Sequence, residues 1–307
     1  MKPLHIETPL FESRALTIGA GRTVWLKLES MQPPGSFKIR GIGLACQEYV
    51  RRGAERLISS SGGNAGIAVA YAGRHLSVPV VVVVPETTTD IAKSLIQQEG
   101  AEVIVHGAAF HEANALALSM LKDADAFLHP FDDPLIWQGH ASLVDEVVQS
   151  GVKPDAIVLS VGGGGLLSGV VEGLNRNGWT GVPVIAVETA GADSFAQSLR
   201  AGHRVELATI TSIATSLGAT QICEQAFNWS KQHPLRSIVV SDRVAVSACQ
   251  RFLDDHRVVV EPACGASLAV VYDVAAEIEE FNSVLVIVCG GVTATIEQLR
   301  EWSNDYA

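Results

Sequence analysis

Short apolar stretches rich in valine and isoleucine recur along the chain, separated by segments of helical period. The clearest are Pro79 to Val84, Ala156 to Ser160, Val184 to Glu188 and Val284 to Val288. Apolar runs of this length read as strands covered on both faces, as in a parallel sheet. Arg56 to Ser60, Glu102 to Val105, Ala126 to Leu128 and Ser237 to Ser241 extend the set. Thr23 to Glu29 alternates in character and adds a further strand. Helical pattern covers Ser36 to Arg52, Asn64 to His75, Thr89 to Gln98, Phe110 to Leu121 and Pro134 to Ser150. It returns over Leu166 to Leu174, Val244 to Asp255, Cys264 to Ala276 and Thr293 to Glu301. Two successive strand–helix rhythms predict an α/β chain of two doubly wound lobes. The first rhythm predicts a small domain over residues 36–132. A crossing at Phe131-Asp-Asp-Pro134 opens the second, so residues 1–35 and 133–307 are expected to form a larger domain.

Composition narrows the function classes. The chain has 307 residues, 48% of them hydrophobic, with 28 glycines and 12 prolines, which fits a globular protein too long for one small core. Its formal net charge of −11, with no basic cluster, argues against nucleic acid or an anionic membrane surface as a partner. An anionic ligand must therefore be held by local donors. The five cysteines (Cys46, Cys223, Cys249, Cys264 and Cys289) are odd in number and lack CxxC spacing, so neither a disulfide framework nor a zinc site is expected. The start, Met-Lys-Pro-Leu-His-Ile-Glu, lacks the apolar core of a signal peptide. The uncharged run Ala156 to Val171 is broken by four glycines and is short for a bilayer. The expectation is a soluble, cytoplasmic protein of a reducing compartment.

Candidate chemistry begins at Gln32-Pro-Pro-Gly-Ser-Phe-Lys-Ile-Arg-Gly41. Two prolines and a glycine form a turn, and Ser36 reads as the N-cap of the next helix. Lys38 then falls in the first turn, where the helix dipole and its apolar neighbours lower a lysine pKa. A neutral amine can attack an aldehyde, which is the lysine chemistry of Schiff-base enzymes; the plain alternative is a solvated surface lysine.

Three further stretches carry glycine or small polar groups at strand-to-helix junctions. Gly162-Gly-Gly-Gly165 follows a strand and precedes a helix, which lets backbone N–H groups and a helix dipole converge on an anion; the plain alternative is a tight turn that needs no side chains, for which two glycines would suffice. Its pattern is neither GxGxxG nor GxxxxGK[ST], which disfavours dinucleotide binding and P-loop hydrolysis. Ser59-Ser-Ser-Gly-Gly-Asn-Ala-Gly66 brings hydroxyls, open N–H groups and an amide to another helix start, a set suited to a carboxylate or to simple capping. Cys289-Gly-Gly291 ends the last apolar strand, where open α/β sheets place ligands, though a buried cysteine is often a small core hydrophobe. Glu188 also ends a strand, and alone it reads best as a helix-capping carboxylate.

Taken together, Ser-Phe-Lys-x-Arg-Gly, Ser-x-Gly-Asn-Ala-Gly, the tetraglycine loop and Cys-Gly-Gly resemble the fold-type II pyridoxal-phosphate enzymes, the tryptophan synthase β-like group. Within these the chain is most similar to the short, mammalian-like catabolic L-serine/L-threonine dehydratases. Phe131-Asp-Asp-Pro-Leu-Ile-Trp-Gln-Gly-His-Ala-Ser142, Leu159-Ser-Val-Gly-Gly-Gly-Gly-Leu-Leu167 and Val260-Glu-Pro-Ala-Cys-Gly-Ala266 match the same branch, and the similarity runs from about Pro3 to Leu299.

The resemblance implies β-elimination: L-serine to pyruvate and ammonia, and L-threonine to 2-oxobutanoate and ammonia. It implies that Lys38 holds pyridoxal 5′-phosphate covalently and later removes the Cα proton. Phe37 would pack beside the ring and Asn64 would bond the 3′-oxygen. Ser61, Gly62, Asn64 and Ala65 would line the substrate pocket, Gly162, Gly163, Gly164 and Gly165 with Leu166 would bind the phosphate, and Cys289 would face the pyridine nitrogen. It further implies a monovalent cation, potassium, held by Glu188 and by carbonyls near Gly162, Ala192, Leu217 and Ala219, and a homodimer acting on a small amino acid.

One departure stands out. The liver-type enzymes carry alanine where this chain has Gly62, and a less active isoform carries glycine, so Gly62→Ala is expected to raise kcat/KM. Serine racemases share the fold but place their second acid/base in an Asn-His-Ala context and use serine at the ring nitrogen; Ala65 and Cys289 differ at both positions. The β-replacing synthases show Ser-Gly-Asn-Thr-Gly, which is absent. A non-enzymatic cofactor carrier would not need Ser61 and Asn64 in an intact substrate loop.

Overall fold

The computed structural model describes residues 1–306. The strands are β1 (Leu10–Glu12), β2 (Thr23–Lys27), β3 (Arg56–Ser59), β4 (Val80–Val84), β5 (Glu102–Val105), β6 (Asp125–Leu128), β7 (Ala156–Ser160), β8 (Val184–Thr189), β9 (Leu235–Val240) and β10 (Ser283–Ile287). The helices are α1 (Arg14–Ala20), α2 (Lys38–Arg51), α3 (Asn64–Leu76), α4 (Asp90–Gln98), α5 (Phe110–Ser119), α6 (Pro134–Gln149), α7 (Gly165–Arg176), α8 (Ser194–Ala201), α9 (Glu224–Trp229), α10 (Asp242–His256), α11 (Pro262–Tyr272) and α12 (Ile296–Asp305).

Two sheets result. One has six strands in the order β1-β2-β10-β7-β8-β9, parallel except for the antiparallel edge pair β1–β2. The other has four parallel strands in the order β5-β4-β3-β6. The valine run of β4 and the apolar β7 and β8 are buried at every position, as strands covered on both faces should be. Helix α11 is apolar all round, and Pro262 to Val271 are all buried, so it forms the centre of the larger core.

Helix α6 joins the two halves. It packs against α7 on one side and α2 on the other, and glycines let the backbones touch. A Cβ on Gly139 would lie 2.3 Å from the carbonyl oxygen of Arg40, and one on Gly169 would lie 2.7 Å from that of Trp137. These crossings set the N-terminus of α2 near the start of α7.

Several sequence expectations shift. Ser36 does not cap α2: it forms an antiparallel bridge with Gly290, its hydroxyl has no partner, and Phe37 holds the cap position instead. The tie to Gly290 fixes Ser36 away from the helix end. The final helix begins at Ile296, not Thr293, because Thr295 and Gln298 close a capping box there. The helix expected to reach Ala276 ends at Tyr272; Val274 has a positive φ of 48°, which breaks it, and a short 3-10 turn follows over Ala276–Ile278. The short elements β1, α1, α8 and α9 carry too few periods to be legible in the sequence.

Candidate functional site

The loops that leave β3, β7 and β10 at their C-terminal ends meet the start of α2. Backbone bonds make the junction. Phe37 N–H donates to the Cys289 carbonyl at 3.0 Å, and Gly291 N–H donates to the Gly35 carbonyl at 3.2 Å. Gly35 has φ of 78°, and a Cβ there would lie 2.3 Å from Cβ of Val292, so the Pro-Pro-Gly turn fits against Cys289-Gly-Gly291 only with glycine.

Lys38 opens α2, as expected. Its ammonium has one hydrogen-bond acceptor, the Pro130 carbonyl at 2.7 Å, and lies 5.2 Å from the centre of the Phe37 ring. Loss of hydration lowers its pKa to about 8, with Cys289 and Glu261 pulling the other way.

Asn64 is the first residue of α3 and is buried. Its Nδ2 donates to Glu261 at 2.8 Å, while its Oδ1 is buried without a partner. Ser61, Gly62 and Gly63 remain partly open beside it, and Ala65 is buried. Gly66 packs so closely that a Cβ would lie 1.9 Å from the Ser61 carbonyl oxygen.

In the tetraglycine loop the N–H groups of Gly162, Gly163 and Gly164 donate to no backbone acceptor among the described residues. Sterics also demand glycine here. Added Cβ atoms would lie 2.4 Å from the Phe131 ring at Gly163, 2.5 Å from Ala226 at Gly164 and 2.8 Å from the Phe131 carbonyl oxygen at Gly165. Close packing therefore explains these glycines as well as a bound anion does. Leu166 is buried in the first turn of α7.

Cys289 is a free, buried thiol whose pKa is pushed well above the ordinary value by the neighbouring Cys264 thiol and by burial. It stays neutral. Glu188 accepts from the N–H groups of Phe195 at 2.8 Å and Ala196 at 2.7 Å, so it caps α8, and burial lifts its pKa to about 8. Ala192 and Leu217 are buried; the Leu217 carbonyl accepts from Ala219 N–H at 2.8 Å, and Gly162 lies against Leu217.

Two residues escaped the sequence reasoning. Glu261, 4% exposed, accepts from Asn64, from Ser216 at 3.1 Å and from Thr293 at 2.6 Å. Its signal was available, since it is the sole charged residue between Arg257 and Asp273. His140 of α6 lies 4.8 Å from the Phe37 ring, ring centre to ring centre. Its Nδ1 accepts from Gly41 N–H at 3.1 Å, which puts the ring proton on Nε2, a buried atom without a partner. Burial and nearby cations hold this imidazole neutral.

A desolvated lysine, free backbone donors at a helix start, a buried amide with an open acceptor and a neutral thiol form one set. That set fits an aldehyde-bearing, phosphorylated cofactor with a ring nitrogen. The comparisons agree. The family described as "Pyridoxal-phosphate dependent enzyme" matches residues 1–290. The chain is 48% identical over 309 residues to the L-serine dehydratase/L-threonine deaminase of Bos taurus, covering 97% of this chain and 94% of that protein. It is 50% identical to the serine dehydratase-like protein of Mus musculus, covering 98% and 94%. The crystal structure of a fungal L-serine ammonia-lyase from Rhizomucor miehei superposes with a TM-score of 0.95 at 35% identity, covering all of both chains. The fold, the donor set and these matches agree that the chain belongs to the family of pyridoxal-phosphate dependent enzymes.

Proposed function

We propose that the chain is an ammonia-lyase that dehydrates and deaminates L-serine to pyruvate and ammonia, and L-threonine to 2-oxobutanoate and ammonia. One observation carries this reading: Lys38, Asn64, the tetraglycine donors and Cys289 gather at one junction, in a chain matched nearly end to end by relatives named for those activities.

Bound pyridoxal phosphate withdraws electrons from the Cα of an amino acid joined to it, which acidifies the Cα–H bond. Lys38 holds the cofactor and, once released, takes the Cα proton onto Nζ; with a pKa near 8 a usable fraction of the amine is neutral. Phe37 packs beside the ring and Asn64 takes the 3′-oxygen. The Ser61 hydroxyl and the N–H groups of Gly62 and Ala65 hold the substrate carboxylate. Gly162, Gly163, Gly164, Gly165 and Leu166 hold the phosphate. Cys289 faces the ring nitrogen as a neutral thiol, and a group that weakly acidic does not protonate the ring. A ring nitrogen left unprotonated by Cys289 would favour elimination over transamination. Glu188, with carbonyls of Gly162, Ala192, Leu217 and Ala219, is the set proposed for a monovalent cation.

The same reading includes a homodimer and a cytoplasmic location, the latter in keeping with five free cysteines. It also includes a small domain over 36–132 and a large one over 1–35 with 133–307. The four-stranded sheet draws all its strands from Arg56 to Leu128, and the six-stranded sheet draws none from that span. No helix among the described residues is long and apolar enough to cross a membrane.

The test is a visible absorption spectrum of the purified protein before and after L-serine, with pyruvate assayed in the same cuvette. A cofactor band that changes on mixing, with pyruvate accumulating and both lost in Lys38→Ala, is the expected result. A cofactor band without pyruvate overturns the activity, and no cofactor band despite added pyridoxal phosphate overturns the role of Lys38.

A further inference from the structure

Glu261 is an unusual carboxyl. It sits at the N-terminal boundary of α11 yet its side chain caps nothing there. Instead it reaches across to three donors on three separate segments: Asn64 at the start of α3, Ser216 in the 3-10 turn Thr215–Leu217, and Thr293 after β10. Its own backbone is tied to Gly290, whose carbonyl accepts from Glu261 N–H at 3.4 Å. All four segments border the site, and Asn64 comes from the four-stranded half while the others belong to the six-stranded half.

An amide side chain has a donor end and an acceptor end of nearly equal size, and its surroundings decide which faces where. A carboxylate has only acceptors to offer, so it selects the Nδ2 end of Asn64. The remaining end is Oδ1, which is buried and unpartnered. We propose that Glu261 is a positioning residue: its carboxyl decides which end of the Asn64 amide is left free in the site, and it ties the loops from both sheets around that choice. This rests on the reading of Asn64 as a cofactor contact and deepens it. Burial raises the pKa of Glu261, and the two hydroxyls keep the group satisfied even when protonated, because each can accept as well as donate.

The experiment titrates pyridoxal phosphate into the full-length apo protein and follows absorption, with apo thermal midpoints recorded alongside. The proteins are wild type, Glu261→Met, Asn64→Ala and the double variant. Methionine removes both carboxyl oxygens at similar side-chain length. Glu261→Met is expected to weaken cofactor binding about tenfold, the factor for one buried polar group left unpaired. Asn64→Ala should lose a similar factor. The double variant should lose no more than about twofold beyond either, because both changes remove one arrangement. Glu261→Gln should hold affinity within about threefold, since its oxygen can still accept from Asn64 while its NH2 donates to a hydroxyl.

Losses that multiply in the double variant, or wild-type affinity in Glu261→Met, overturn the proposal. Should Glu261→Met not fold, Thr293→Val replaces it, removing the 2.6 Å donor that holds the carboxyl. A loss of about threefold that vanishes in the Asn64→Ala background is then expected, and one that persists there overturns the proposal. A wild-type protein that takes up no pyridoxal phosphate fails at the earlier step, the reading of the site itself.

Discussion

Lys38 and Arg40 stand two residues apart in the first turn of α2 and meet opposite surroundings. Arg40 is fully buried and fully paired. Its guanidinium donates to Glu29 at 2.6 and 2.8 Å, to Glu146 at 2.6 and 2.8 Å and to Ser142 at 3.1 Å. Lys27 adds a second cation on Glu146 at 2.5 Å, and the Thr8 hydroxyl donates to Glu29 at 2.6 Å. Pairing raises the Arg40 pKa and lowers that of Glu146. Lys38 has one neutral carbonyl, and its pKa falls. A charge given matched partners fixes structure, whereas an amine given few is kept available for chemistry.

The comparison predicts opposite failures. Lys38→Ala should lower pyruvate formation from L-serine by about a thousandfold, within the span expected for a lost general base, and leave the apo protein's denaturant midpoint at or above wild type, because it removes the cost of burying a poorly partnered amine. A mutant with substantial activity would show that the proton acceptor lies elsewhere. Arg40→Met should do the reverse, leaving Glu29 as a buried charge without a cation and Glu146 with Lys27 alone. Its cost is about 3–5 kcal/mol in urea unfolding. A midpoint near wild type would mean that water or a shifted Lys27 satisfies both acids.

A pH experiment sharpens the contrast further. The amine pKa of Lys38 in the folded protein, about 8, lies below its ordinary value of 10.5. Between those values the unfolded chain binds more protons at this site than the folded one, so this group's contribution to stability rises with pH through that window. The stability gained by apo Lys38→Met over wild type should therefore shrink from pH 8 to pH 10.5. Trinitrophenylation of Lys38 in the apo protein should titrate with a midpoint near 8. A midpoint near 10 would place the lysine in bulk-like water.

The two sites differed in how legible they were in the sequence. The valine-rich strands set the α/β class, because burial on both faces leaves no alternation to misread. Lys38 was legible because turn and helix chemistry surround it within ten residues. The Arg40 network was not. Its partners lie 11 residues away at Glu29 and 106 away at Glu146, and nothing local marks a charge whose counter-ions come from another helix. Glu261 escaped for the same reason, with donors from three distant segments. The tetraglycine loop was half understood: its donors are free, yet Phe131 and Ala226 also fill the space any side chain would need.

The smallest effect concerns Gly62. From sequence, restoring a methyl there should tighten the substrate pocket and raise kcat/KM. The structure puts Thr88 in the way: a Cβ on Gly62 would lie 2.5 Å from its Oγ1 and 2.7 Å from its Cγ2. Thr88 sits in the loop after β4, at the same end of the sheet as Ser61 to Asn64, and already fills the volume an alanine methyl would take. Gly62→Ala alone must displace it, so the gain is expected only when Thr88 is shortened as well. Kinetics on L-serine should show Gly62→Ala at or below wild type and Gly62→Ala with Thr88→Ala above it. The margin is about threefold, the scale of a small improvement in substrate positioning. A gain in the single variant would mean that Thr88 turns aside freely. No gain in the double variant would mean that the missing methyl does not limit turnover in this chain.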